Sequence, residues 1–182
     1  RLEEVITDIQ VLTAGSCLEG ADIMPVSAIE GTGVDDLRVH LETMTDLVGD
    51  REGEGHFRLA IDRCFSVQGA GLVVTGGVFS GKVNVGDHLT LSPQGIDVRV
   101  RGIHAQNKEA KAGVSGQRCA LNITGADLKS TEVHRGGWLV ANDIHAPVAR
   151  FDARLRVLKS EARPLRHWTP VHVHLGAAEL PG

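Results

Sequence analysis

The stretch His56 to Asp87, HFRLAIDRCFSVQGAGLVVTGGVFSGKVNVGD, decides the fold. It opens with an apolar run, Phe57 to Ile61, broken by Asp62-Arg63. A glycine turn at Gly69-Ala70-Gly71 leads into the strand-like Leu72 to Thr75. Paired glycines at 76 and 77, a Gly81-Lys82 turn and a second alternating strand end in another turn at Gly86-Asp87. Short β-branched runs punctuated by glycine predict a meandering antiparallel sheet. Strands this short and turns this frequent fit a small closed barrel better than a sandwich. On this pattern the first strand ends at Asp62-Arg63, an odd place for two charges.

Working outward, later strands are expected at Ile96–Ile103, Gln117–Ile123 and Trp138–Ala141, with a polar loop over Asn107–Gly116. Residues 1–48 follow a different grammar. Leu2, Val5, Ile6, Ile9 and Leu12 fall on one helical stripe that stops near Gly15, and Val34, Leu37, Leu41 and Met44 mark a second. Ile23–Val26 reads as a short strand between them, followed by Ser27-Ala28 and the loop Glu30-Gly31-Thr32-Gly33. One strand cannot form a sheet alone, so this part is expected to be the tail of a larger α/β domain. The glycine-rich residues 49–56 read as a linker and 57–146 as the barrel, with Ala146-Pro147 as a second boundary. Beyond it Arg150–Leu158 alternates as a half-buried strand with Val171–Leu175 as its neighbour, so 147–182 reads as the start of a third domain. The expected fold class is mainly β, a barrel between an α/β remnant and the first strands of another barrel.

Hydrophobic residues make up 42% of the 182, enough for a core, while aromatics are 3% with no Tyr, so the core must be mostly Val, Leu, Ile and Ala. The net charge of −4 conceals an asymmetry. Residues 1–55 carry thirteen acids and three bases, and 56–182 carry ten acids and sixteen bases. A basic half points to a polyanionic partner, although solvated barrel faces explain the same charges equally well. Cys17, Cys64 and Cys119 are odd in number and form no CxxC pair, which fits buried free thiols in a reducing compartment. No run reaches the roughly 20 apolar residues of a membrane span. The chain begins without Met and ends at Leu-Pro-Gly, so it is expected to be a fragment of a cytoplasmic protein.

Several tempting motifs carry little chemistry. Gly76 to Lys82 copies the start of a phosphate loop, but Val83 follows the lysine, so no hydroxyl is present for Mg²⁺, and no helix is expected after it. It reads as a hairpin turn. His172 and His174 share one face of a strand but lack a third ligand at a familiar spacing. Ser27, Ser66 and Ser80 lack a paired base. No catalytic residue is expected. Asp62-Arg63 and Arg118 are the better lead, because charges at the ends of apolar strands must be paired or serve a rim site. Two arginines and one aspartate can form an anion pocket, and an ordinary surface salt bridge is the plainer alternative.

The order Gly69-x-Gly71-x-Val73-Val-Thr-Gly76, then Val78-x-x-Gly81-x-Val83-x-Val85-Gly-Asp87, then Val133-x-Arg135-Gly136-x-x-Leu139, resembles the second domain of translational GTPases. Pro25-Val-Ser27-Ala28 before Gly31-x-Gly33 is similar to the last guanine motif of the preceding domain. His56 to Arg63, Val98 to Asn107 and Gly116 to Asn122 resemble the bacterial selenocysteine-specific elongation factors in particular. The resemblance implies a barrel that docks the aminoacyl end of selenocysteinyl-tRNA, with Asp62, Arg63 and Arg118 lining the aminoacyl pocket. It implies tRNA-end contacts from His104, Gln106 and Asn107, and a guanine-binding remnant at Ser27 and Ala28. Asp62 would either hold one guanidinium in a fork-shaped pair or receive the aminoacyl ammonium. GTP and Mg²⁺ are expected for a full-length parent and no cofactor for this stretch, which lacks the phosphate loop and the Asn-Lys-x-Asp motif and should not be catalytic. Partners implied are selenocysteinyl-tRNA, the ribosome, and an mRNA hairpin gripped by C-terminal domains not seen in this sequence, with no membrane. The alternatives are the barrel of a general or initiation-type translational GTPase and a non-catalytic protein-interaction barrel.

Overall fold

The fold is seen in a computed structural model that describes all residues except 49–53, 70, 159, 160, 162 and 182. It divides into two units, Arg1–Asp50 with Asp152–Thr169, and Arg51–Phe151 with Pro170–Gly182.

The first unit holds α1 (Leu2–Thr13) and α2 (Val34–Val48). Both open on acidic residues, Glu3-Glu4 and Asp35-Asp36, which favour the positive end of a helix dipole. The apolar stripes lie where the spacing puts them, yet α1 buries no residue fully. Ile23–Val26 forms no strand, because no partner strand lies beside it among the described residues. Arg150–Leu158, expected as a strand, forms none either, and nearly all of it is exposed. Alternation marks a face; only a partner strand makes a ladder.

The second unit is the barrel. Its strands are β1 (Arg58–Val67), β2 (Gly71–Ser80), β3 (Lys82–Asn84), β4 (His88–Ser92), β5 (Ile96–Ala105), β6 (Lys108–Ala110), β7 (Ala112–Val114), β8 (Arg118–Thr124) and β9 (Trp138–Val140). The order β4-β9-β1-β2-β8-β5 closes because β5 pairs back onto β4, giving six antiparallel strands with β6 appended to β5. Closure removes the unpaired edges that invite aggregation. The core is aliphatic, as the composition requires: Leu59, Ile61, Val74, Val98, Val100, Leu121 and Leu139 are each fully buried.

Three expectations change here. The loop expected over Asn107–Gly116 contains β6 and β7, short strands that leave too little room for a strand-length periodicity. Gly81-Lys82 is no hairpin, because β3 pairs with β7 and not with β2. Gly81 instead turns the chain out of the main sheet. Its φ of +71° and the 2.5 Å from a built Cβ to the Phe57 backbone nitrogen leave room only for glycine. Lastly, Val171–Leu175 finds its partner downstream: β10 (His172–Leu175) pairs with β11 (Ala178–Pro181) across the two-residue turn Gly176-Ala177. The built Cβ of Gly136 lies 2.7 Å from the Ala178 Cβ, so this hairpin packs against the segment leading into β9.

Candidate functional site

The first strand does not end at Asp62-Arg63. β1 continues to Val67, and its register against β2 slips between Ile61 and Arg63: Ile61 faces Gly76, Arg63 faces Thr75, and Asp62 is the extra residue of a β-bulge. In a regular strand these two charges would point to opposite faces. The bulge puts both beside one position of the partner and keeps both side chains outside the barrel. Gly76 makes this possible. A Cβ there would lie 1.9 Å from the Ala60 carbonyl oxygen and 2.9 Å from the Leu59 side chain. The close approach of β1 and β2 just before the bulge therefore needs a residue without a side chain.

Pairing across the sheet then brings distant residues into one row. Arg63 faces Thr75, Thr75 faces Ala120, and Ala120 faces His104, so β1, β2, β8 and β5 each contribute one side chain to the same outer face. Arg118 lies two residues before Ala120 and shares its face. Its guanidinium makes a fork-shaped pair with Asp62, Nη1 donating to Oδ2 and Nη2 to Oδ1, the latter at 3.0 Å. The Thr75 hydroxyl donates to Asp62 Oδ1 at 2.8 Å and accepts from Arg118 Nη2 at 3.3 Å. Sequence inspection passed over Thr75, since threonine in a valine-rich strand is ordinary β-former chemistry.

The electrostatics follow from these contacts. The Arg118 hydrogen bond, aided by Thr75 and by the charges of Arg118 and Arg63, outweighs partial burial and holds the Asp62 carboxyl below its ordinary range. The Arg118 guanidinium is raised in return. Arg63 is exposed, makes no hydrogen bond or ion pair among the described residues, and acts on Asp62 only through its charge. Two cations and one anion leave one positive charge at the site.

His104, Gln106 and Asn107 are brought to the same place. Gln106 (φ +50°) and Asn107 (φ +65°) are the centre of a two-residue hairpin in which Ala105 pairs with Lys108. Positive φ at both positions is the turn that matches strand twist. A glutamine held in the left-handed region is unusual, and such outliers cluster at functional sites. The Gln106 N–H donates to the Arg118 carbonyl at 3.1 Å, which ties this turn to the start of β8. A groove of about 280 Å³ is lined by Thr75, His104, Gln106, Asn107 and Arg118. Its neighbour, about 550 Å³ and more apolar, shares Thr75, His104 and Asn107 and adds Phe65, Val67 and Val73. Another groove of this unit, about 740 Å³, lies elsewhere, between Trp138 and the β10–β11 hairpin.

The remaining candidates stay apart. In the first unit the Ser27 N–H donates to the Thr32 carbonyl at 2.9 Å and its hydroxyl accepts from the Glu30 N–H at 3.3 Å, so Ser27 and Ala28 sit in a tight loop. Alone this loop does not fit a nucleotide, since no phosphate-holding segment is present in the chain. Lys82 opens a strand rather than a helix. His172 pairs with Glu179 at 2.6 Å, and no cluster of three metal-type ligands occurs among the described residues. No helix of the described residues is long and apolar enough to cross a membrane.

Residues 71–140 match the family model for Elongation factor Tu domain 2. The whole chain is 38% identical to the selenocysteine-specific elongation factor of Escherichia coli (strain K12), spanning 28% of that protein. Over 92% of the chain it is 41% identical to the factor of the same name from Haemophilus influenzae, spanning 26% of that one. Among solved structures it is similar to translation elongation factor SelB from Methanococcus maripaludis in complex with the GTP analogue GppNHp. The TM-score is 0.78, with 27% identity over 98% of this chain and 39% of the other. The six-stranded closed barrel is the fold that the family model describes, and by sequence and by fold the chain belongs to the selenocysteine-specific elongation factor family.

Proposed function

We propose that the barrel receives the aminoacyl end of selenocysteinyl-tRNA, in a protein that directs selenocysteine into growing chains at UGA codons. The observation that carries this reading is the Asp62–Arg118 pair beside the uncompensated Arg63, with one net positive charge at the groove that Arg118 and Thr75 line. A selenol is largely ionised at neutral pH and the serine hydroxyl is not. The site must therefore accept an anion and reject its neutral counterpart.

The donors suffice. Asp62 and Thr75 occupy up to three of the five guanidinium N–H groups of Arg118, so at least two remain. Arg63 offers all of its own. A hydrogen bond to a charged group contributes about 1.5–3 kcal/mol, so one from each arginine supplies about 3–6 kcal/mol, on the order of 10²–10⁴ in discrimination. Seryl-tRNA would leave the same guanidinium groups partly desolvated and without their anion, which adds rejection to attraction. In this reading Asp62 orients Arg118 through the fork-shaped pair and leaves the aminoacyl ammonium to other groups. His104, Gln106 and Asn107 contact the end of the tRNA.

The rest of the reading follows from relatives of which this chain spans about a quarter. Residues 1–48 are the end of a GTPase domain in which Ser27 and Ala28 help hold guanine; 49–56 link it to the barrel at 57–146, and 147–182 begin a third domain. GTP and Mg²⁺ serve the parent protein, which acts in the cytoplasm with the ribosome and an mRNA hairpin. Basic residues of segments 99–118 and 150–166, Arg99, Arg101, Lys108, Lys111, Arg154 and Arg156 among them, meet phosphates, which position an RNA without specifying it. Lys159 belongs to the same set by sequence and lies outside the described residues.

The test compares binding of selenocysteinyl- and seryl-tRNA by the intact protein as wild type, Arg63→Ala and Arg118→Ala. Each substitution is expected to narrow the preference by about 10–100-fold, one charge-assisted hydrogen bond apiece. An unchanged preference in both variants refutes the pocket.

A further inference from the structure

We propose that Thr75 is a positioning residue of this pocket: its hydroxyl, set between the Asp62 carboxylate and the Arg118 guanidinium, fixes the direction in which Arg118 presents its free N–H groups and thereby sets the preference for an anionic side chain. The proposal rests on the aminoacyl-pocket reading above.

A fork-shaped pair leaves one motion free. Arg118 has a long flexible stem and a half-exposed side chain, whereas Asp62 is the more enclosed partner, with 29% of its side chain exposed. Two parallel bonds hold the planes of the two groups together, yet the pair can still swing as one body about the Asp62 side-chain torsions. A third fixed point stops that motion, and Thr75 supplies it. A hydroxyl carries one donor and two acceptor sites, so it can give its proton to Asp62 Oδ1 and take one from Arg118 Nη2 at the same time. Threonine suits the post because branching at Cβ makes its first torsion stiff. Its place is set by the ladder, between Arg63 on β1 and the small Ala120 on β8, at the wall shared by both grooves. Locking Arg118 before the ligand arrives reduces the ordering cost of binding.

Thr75→Val keeps the shape and deletes both bonds, while Thr75→Ser keeps both bonds. In the intact protein Thr75→Val is expected to weaken selenocysteinyl-tRNA binding about tenfold and to leave seryl-tRNA binding within about twofold; Thr75→Ser should restore the preference. Carboxyl ¹³C NMR on protein with labelled aspartate gives a readout independent of tRNA. The Asp62 titration midpoint should rise in Thr75→Val and stay in place in Thr75→Ser. If Thr75→Val does not fold, Thr75→Ala deletes the same hydroxyl and is held to the same outcomes. Full preference and an unmoved Asp62 midpoint in the deletion variant, with preference lost in Arg118→Ala, overturn the role of Thr75 and leave the pocket standing. Equal loss of both tRNAs marks Thr75 as merely structural and overturns it too. A wild type that does not distinguish the two tRNAs removes both readings.

Discussion

The helices of the first unit and the strands of the barrel use the same apolar residues to different ends. Along α1, Leu2 and Leu12 are 57% and 83% exposed, whereas Leu59, Val74 and Leu121 in the barrel are fully buried. A helix offers one apolar stripe and needs another layer to cover it. A sheet closed on itself is its own second layer, since inward residues of each strand meet those of the strands opposite. The cooperative core of this chain is therefore the barrel.

The sharpest way to break that comparison is to remove one leucine from each region. Leu121→Ala is expected to cost about 2–5 kcal/mol by denaturant unfolding, and Leu12→Ala no more than about 0.5 kcal/mol. Equal losses would mean that α1 belongs to the same cooperative core. Within the barrel, neighbouring glycines give a finer contrast. Gly76→Ala drives a Cβ into the Ala60 carbonyl and should cost about 1–3 kcal/mol. Gly77→Ala meets nothing within 4 Å and should stay within about 0.5 kcal/mol.

The Asp62–Arg118 pair is smaller again. It lies half in water, so Asp62→Asn should cost about 0.2–1 kcal/mol at neutral pH. Its folded carboxyl is depressed below the unfolded value, so the stabilisation is complete above the ordinary Asp range near pH 4 and fades as pH falls below it. Unfolding curves of wild type and variant should converge only in acid; convergence at neutral pH would show that the pair contributes nothing. The smallest effects concern reactivity. Burial pushes up the thiols of Cys119 and Cys64, while Cys17 is exposed. Alkylation should run Cys17 first, Cys64 next and Cys119 only on unfolding. A fast Cys119 would mean that the barrel opens near β8.

Local signals were readable where one segment determines its own shape. The glycine turns, the aliphatic strands and the two helical stripes follow from periodicity and φ requirements within a few residues. Pairing was not readable. Asp62-Arg63 looked like a strand end because a bulge is a relation between two strands, and its cause, Gly76, sits on the other one. Gly81 looked like a hairpin for the same reason: nothing near Lys82 announces that β3 will choose β7. Arg150–Leu158 alternates as well as β5 does and finds no partner. Asp62, Arg63 and Arg118 stand out in the sequence by their misplaced charge, and His104, Gln106 and Asn107 enter only through family resemblance. Thr75 offered neither signal and appears only through its two hydrogen bonds.

The partners of the fork-shaped pair stand 56 residues apart, and that separation has a meaning in time. A ribosome making this chain delivers Asp62 and Thr75 while Arg118 is not yet synthesised. Until β8 is laid beside β2, the nascent strand carries Asp62 offset only by its neighbour Arg63, with no net charge to attract an anion. Contacts this distant in sequence are late and slow to form. The charge of these side chains thus changes during the life of the molecule, from neutral on the growing chain to positive on the finished barrel.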